Sequence, residues 1–317
     1  MSMTVLSSGL LSSVQGNTRN GWRHLGVGGS GALDGFSLSV ANLLVGNALH
    51  AAAIEMTLVG PRLHFAQAAR IAICGAQIDA SVAGHAVPTW RRIDIPANSE
   101  VHLGACRRGS RAYLAVAGSF QIKSMLGGPS TDLRAGFGGV DGRALKAGDT
   151  LAIADGFRVQ CDRVVIDTRW IDPAPDIDFA TPSVVHLLAG QDPMTDDEPL
   201  FAQDWKVGPA SNRQGLRLEG VKIHIADTRE RISEPVFPGT LQLPADGQPI
   251  LLLADAQTHG GYPRIGHAIR ADWPRLAQLR PGDSLRFFRC SETQAQQKLI
   301  EQRQRLARMA IAISSTA

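Results

Sequence analysis

Aromatic residues make up only 5% of the 317 residues, so few large rings are available to fill a core. Cysteine is scarce. Cys74, Cys106, Cys161 and Cys290 lie far apart and form no C-x-x-C pair. That spacing argues against a zinc site or a disulfide frame and suits reduced, mostly buried thiols of a cytoplasmic protein. Charge of one sign is missing: 32 basic residues meet 29 acidic ones, for a net charge of +3, and no long basic run occurs. Nucleic acid is therefore not an expected partner. No apolar stretch approaches the roughly 20 residues that a membrane helix needs, so no membrane association is expected. The N-terminal stretch MSMTVLSSGLLSSVQG lacks a basic segment followed by a long apolar core, and no signal peptide is expected. There is no G-x-x-x-x-G-K-[ST], no G-x-S-x-G and no H-E-x-x-H. A P-loop, a serine-hydrolase elbow and a metal site are all without sequence support.

What is abundant is glycine, with 33 residues, and short apolar runs cut by Gly, Pro, Asp or Asn. That rhythm predicts a mainly β chain with a few helices. Strands are expected at 59–65, 71–73, 101–103, 112–116, 184–188, 215–218, 250–254 and 284–288. A helix is expected from Phe36 to Val45, with Asp34 as its N-cap and Gly46-Asn47 as its stop. A terminal helix is expected over 292–313. Turns recur at Leu145-Lys-Ala-Gly-Asp149, Leu279-Arg-Pro-Gly-Asp283 and Ile95-Pro-Ala-Asn98, each leading into a strand. They hint at two related barrel-like units. The expected division is an N-terminal lobe over 1–166, a Pro-rich linker over 167–182, a C-terminal lobe over 183–290 and a helical tail over 291–317.

The densest chemistry lies in LLLADAQTHGGYPRIG, Leu251 to Gly266. An apolar strand delivers Gln257, Thr258, His259, Gly260, Gly261, Tyr262, Pro263 and Arg264. An amide, a hydroxyl, an imidazole, a phenol and a guanidinium sit beside paired glycines that let the backbone come close to another group. The bland alternative is a Gly-Gly turn with Tyr262 and His259 as packing residues. A second polar loop, Ser130 to Gly139, offers Asp132 and Arg134 either as an anion site or as a pair locking a turn. A third, Ser211 to Arg217, places Arg213 and Arg217 as an anion clamp or as surface charge. Gly26-Val-Gly-Gly-Ser-Gly31 matches G-x-G-x-x-G, but no hydrophobic strand precedes it, so a dinucleotide site is not expected. A looser anion site at the following helix, helped by Arg23 and His24, competes with Asp34 acting as cap.

Read together, these segments resemble the biotin-dependent carboxyltransferase-like family, also called allophanate hydrolase subunit 2-like. The stretches that carry the resemblance are RHLGVGGSGALDGFSLSVANLLVGN, IEMTLVGPRL, GSRAYLAVAG, STDLRAGFGGVDGRALKAGD, SNRQGLRLEG, SEPVFPGTLQLPADGQPILLLADAQTHGGYPRIG and LAQLRPGDSLRF. They run in order over nearly the whole chain. The family includes the C-type subunit of 5-oxoprolinase, the Kip-inhibitor antagonist and part of the carboxyltransferase region of urea carboxylase. There are departures: Gly16 and Asn212 stand where family members commonly have Asp, and Gly28 where Pro is usual.

The resemblance implies two cyclophilin-like β-barrel lobes. It implies a cytoplasmic component of an ATP-dependent complex that opens the lactam of 5-oxoproline to glutamate. Its partners would be an A-type protein and a subunit 1-like, or B-type, protein, and its substrate a small amide or lactam. Such a component is expected to be inactive alone. One alternative is a carboxyltransferase subunit that takes its carboxyl group from biotin on a separate carrier and passes it to urea or another amide. The chain has no Met-Lys-Met of its own to carry biotin. Another is a non-catalytic regulator that binds a kinase-inhibitor protein. In the enzyme reading His259, Tyr262 and Arg264 are catalytic. Gln257, Thr258, Gly260 and Gly261 bind substrate, with Arg134, Arg213 and Asp132 as further contacts and no metal.

Overall fold

A computed structural model of the chain describes residues 1–154, 159–192, 194, 196–224 and 232–314. Two compact units emerge. The first comprises Met1–Arg19, Ser30–Ile177 and Arg305–Ala317; the second comprises Asn20–Gly29 and Asp178–Gln304.

The first unit is built on one ten-stranded sheet. Its path runs Val165–Ile166, Arg92–Ile95, Ala69–Val82, Ser99–Val116, Arg62–Phe65, Ser2–Ser7 and Thr150–Ala152. Leu11–Gln15 joins through Ala53–Thr57, and His85–Ala86 pairs with Ala69–Val82. Ser99–Val116 is a single 18-residue strand. Its first half alternates buried and exposed residues, as a half-solvated strand must. From Ser110 onward every residue is buried, because the helix Gly35–Val45 packs on this part of the strand and on Ala69–Val82. That helix is apolar nearly all round, which suits an element with no solvent face. Its buried polar groups are satisfied locally. Ser39 Oγ donates to the Gly35 carbonyl at 2.7 Å, and Asn42 Nδ2 to the Ala51 carbonyl at 3.0 Å. Asp34 caps it as expected, accepting from the Ser37 amide at 2.9 Å, and Gly46 ends it in the left-handed conformation.

The second unit is a closed barrel. Around it run Ser183–Ala189, Arg264–Ala268, Thr240–Gln242, Ile250–Leu252, Gly215–Glu219, Trp205–Val207 and Ser284–Arg289. Parallel pairing of the first and last of these strands closes it. Leu187, Leu241, Leu251 and Phe287 are among its buried apolar residues.

The recurrent turns are one device used in both units. In the first, Asp149 accepts from the Lys146 amide at 2.8 Å, and Val5 exchanges backbone bonds with Gly148 and Asp149. In the second, Asp283 accepts from the Arg280 amide at 2.9 Å, and Val207 does the same with Gly282 and Asp283. Gly148 and Gly282 have φ of +90° and +94°, a conformation that side chains resist. Asn98 reaches the third turn differently, with its own positive φ.

Several strand limits differ from expectation. The expected strand 59–65 begins only at Arg62, because Leu58 adopts a positive φ and Val59 makes an isolated bridge. The two strands expected at 101–103 and 112–116 are one, with Gly104 and Gly109 falling at register shifts in its pairing with Ala69–Val82. The strand expected over 250–254 stops at Leu252, where the chain turns to follow residues 213–214. The terminal helix spans Glu292–Ser314 with no buried residue; Arg305 anchors it on Asp176 at 2.7 Å.

Candidate functional site

The segment after the strand Ile250–Leu252 is fastened before it reaches the polar loop. Leu253 and Asp255 donate backbone bonds to the carbonyls of Gln214 and Arg213. Asp255 then takes the Arg213 guanidinium on both oxygens, at 2.7 and 3.1 Å, with both side chains 5% exposed. Of the two arginines of the third polar loop, Arg213 is buried and Arg217 is exposed. Arg213 spends its planar fork inside the protein.

Beyond this clamp the loop is held from two sides. Arg23 Nη2 donates to the carbonyls of Val236 at 2.5 Å and Gln257 at 3.0 Å, and its guanidinium lies over Phe237. Burial pushes its pKa down. The Arg23 Nη2 is thus taken up by this loop while its Nη1 is buried without a partner, and Asp34 caps the helix that follows the Gly-rich loop. On the other side His259–Gly260 pairs with Glu234–Pro235 in a two-residue ribbon. Gln257 Nε2 donates to Gln242 Oε1 at 3.3 Å. Gln242 is 1% exposed, and its Nε2 is buried without a hydrogen-bond partner. A Cβ on Gly260 would stand 2.7 Å from that nitrogen, so a side chain there would force the Gln242 carboxamide to move.

Thr258 Oγ1 and His259 Nδ1 are 3.0 Å apart, and His259 and Tyr262 are exposed. Arg264 carries two carboxylates: Asp192, which also accepts from the Arg264 amide at 2.8 Å, and Glu234. Asp192 is 17% exposed, whereas Glu234 is 56% exposed. An arriving anion would therefore displace Glu234 before Asp192. A register shift between Leu241 and Gln242 sets Gln242 opposite Arg264, the type of bulge that re-aims side chains beside functional loops.

His267, on the Arg264 strand, faces Thr240 Oγ1 at 3.3 Å. Burial, and then the Arg264 charge, lower its pKa below the usual 6.5. A depressed histidine is neutral in the fold while the unfolded chain binds the proton. Stability is then lost as pH falls below about 6.5 toward the folded value. Denaturation midpoints compared between pH ~7 and ~5 should fall more steeply for the wild type than for His267→Asn. Equal slopes would mean that His267 titrates normally.

The structure thus joins Gln257, Thr258, His259, Gly260, Gly261, Tyr262 and Arg264 in one loop of the second unit, with Arg213 locked beneath it. Asp132 and Arg134 belong to the first unit. There Asp132 accepts from the amides of Arg134 and Ala135 at 3.1 and 2.9 Å. The lock on this turn is therefore carboxylate to backbone, and the Arg134 side chain is exposed. Also in the first unit, Gln15 Oε1 and Ser30 Oγ are buried without partners. Sequence reasoning missed Gln242, Glu234, Asp192 and His267. Gln242 had a signal, a lone amide in the apolar run Leu241 to Leu243. Asp192, far away in sequence, had none.

The model of "Carboxyltransferase domain, subdomain A and B" matches residues 25–289. The C-type subunit of 5-oxoprolinase from Escherichia coli K12 is 36% identical over 312 residues, covering 95% of this chain and 97% of that one. Among solved structures, the K. lactis urea amidolyase superposes with a TM-score of 0.89 at 25% identity, over 97% of this chain and 20% of that one. TTHA0988 superposes with a TM-score of 0.78 at 30% identity, over 90% of this chain and 55% of that one. The chain therefore spans about half of TTHA0988 and a fifth of the amidolyase. With its fold and most of its length accounted for, the chain belongs to the carboxyltransferase-domain family.

Proposed function

We propose that this chain is the C-type subunit of a 5-oxoprolinase complex, which opens the lactam of 5-oxoproline to glutamate with ATP. The observation that carries this reading is the match to the corresponding E. coli protein over nearly the whole of both chains. The site chemistry supports it. Arg264 is a cation whose outer partner, Glu234, is exchangeable, and a lactam acid brings a carboxylate to replace it. The paired carboxamides of Gln242 and Gln257 offer a donor and an acceptor to an amide. His259 or Tyr262, both exposed on the loop, donates a hydrogen bond or moves the proton as the amide opens. ATP is a co-substrate of the complex, and no residue of this chain is assigned to it. A-type and B-type proteins complete the assembly.

The test is ATP-dependent glutamate release by the chain co-expressed with its A-type and B-type partners. Activity that disappears when this chain is omitted supports the reading. A well-formed complex without activity overturns it. It would shift the function to carboxyl transfer from a biotin carrier to an amide, which the 0.89 TM-score to urea amidolyase favours as second reading.

A further inference from the structure

The first unit holds a cavity unrelated to the loops above. Its volume is about 390 Å³, within the range of small-ligand sites. Val87 and Pro88 give it an apolar wall, and Trp170, 53% exposed, stands at its side. Arg91 also lines it. Its Nη1 donates to the carbonyls of Asp167 at 3.2 Å and Thr168 at 2.9 Å, which fixes the plane of the guanidinium. Its Nε is buried without a partner.

The charge of Arg91 is what sets this cavity apart. Several part-buried arginines are matched to carboxylates, Arg70 to Asp94, Arg143 to Asp149 and Arg305 to Asp176, whereas Arg23 of the second unit is held on carbonyls as Arg91 is. Arg91 meets only carbonyl oxygens among the described residues. Arg107 and Asp79, also in the lining, pair with each other at 2.6 Å and cancel. The cavity is left with one uncompensated positive charge beside an indole.

The mounting is stiff. The segment carrying Trp170 is stitched to the strand Arg92–Ile95 by pairing of Val165 and Ile166, and by the Asp167 amide on the Arg92 carbonyl. The Ile171 amide donates to the Trp90 carbonyl at 3.2 Å. Asp167 accepts from Arg169 and pairs with Arg92. The hydrogen bond from Arg169 first, then the neighbouring charges, hold its pKa at about 2, so this anchor stays charged at any working pH. A wall fixed in advance costs little to order on binding.

We propose that this cavity is a binding site for a small aromatic monocarboxylate. The ring lies against Trp170, Val87 and Pro88, and the carboxylate faces the Arg91 guanidinium.

The test is calorimetric and NMR titration of the full chain with benzoate, and with benzamide as a neutral probe of the same shape. Benzoate should bind saturably in the millimolar range or better and about tenfold more tightly than benzamide. Arg91→Gln should abolish that preference. Trp170→Ala, at a half-exposed position, should weaken both probes by about the same factor while leaving thermal unfolding unchanged. No saturable binding, equal binding of the two probes, or wild-type affinity in Trp170→Ala would overturn the proposal. If Arg91→Gln does not fold, the Trp170→Ala result and the benzoate-to-benzamide ratio still decide it.

Discussion

Arg213→Ala is expected to destabilise the second unit by about 3–5 kcal/mol, the largest single-residue effect anticipated here. Both partners of the Arg213–Asp255 pair are 5% exposed, and the fork is doubly bonded. Removing the guanidinium leaves the Asp255 carboxylate in a place that water does not reach. An uncompensated buried charge is far costlier than the pair itself is favourable. The clamp also holds the start of the polar loop, since Asp255 directly precedes Ala256 and Gln257. Arg213→Lys keeps the charge but loses the second bond of the fork, so it should fall between the wild type and Arg213→Ala. Replacing both partners by apolar residues, as in Arg213→Met with Asp255→Leu, should recover most of the loss. The measurement is the urea midpoint of the second unit's transition, followed separately because two units need not unfold together. A cost under about 1 kcal/mol for Arg213→Ala would show that the pair is not the fastening, and would return Arg213 to the pool of anion contacts.

In the proposed 5-oxoprolinase complex, Arg264→Ala should lower turnover by about 10²–10³-fold, the usual loss when a charge-stabilising donor is removed from a reacting oxygen. The companion variant separates chemistry from scaffolding. Glu234 is the more exposed of the two carboxylates on Arg264 and the one a substrate carboxylate would replace. Glu234→Gln removes that competitor. It should lower KM several-fold with little change in kcat, the scale of an exposed pair worth up to about 1 kcal/mol. A purely structural Arg264 predicts otherwise: Glu234→Gln would leave KM where it is, and Arg264→Lys would restore turnover by keeping Asp192 in place. Unchanged turnover in Arg264→Ala would remove this residue from the mechanism.

The sequence alone carried the elements whose causes are local. Helix Gly35–Val45 was readable because an Asp cap, an apolar run and a Gly stop lie within a dozen residues or so, and each acts on its own backbone neighbours. The Gly-Asp turns were readable for the same reason, and their use in both units shows that the recurrence was structural. Family membership came from motifs kept in order along the chain, which need no geometry. The polar loop from Gln257 to Arg264 stood out by its density of functional groups.

What only the tertiary structure decided is which of those groups are spent. Arg213 and Arg264 are both anion-contact candidates in sequence, yet one is sealed against Asp255 and the other pairs with Asp192 and an exposed Glu234. Arg23, which the sequence offers only as an aid to an anion site competing with the Asp34 cap, holds Gln257, 234 residues away. Asp192 and Gln242 join the site through strand pairing that no local pattern announces. Backbone preferences act over a few residues and leave their mark in the sequence. The pairing of charges and the burial of amides depend on which strands meet, and folding of the barrel settles that.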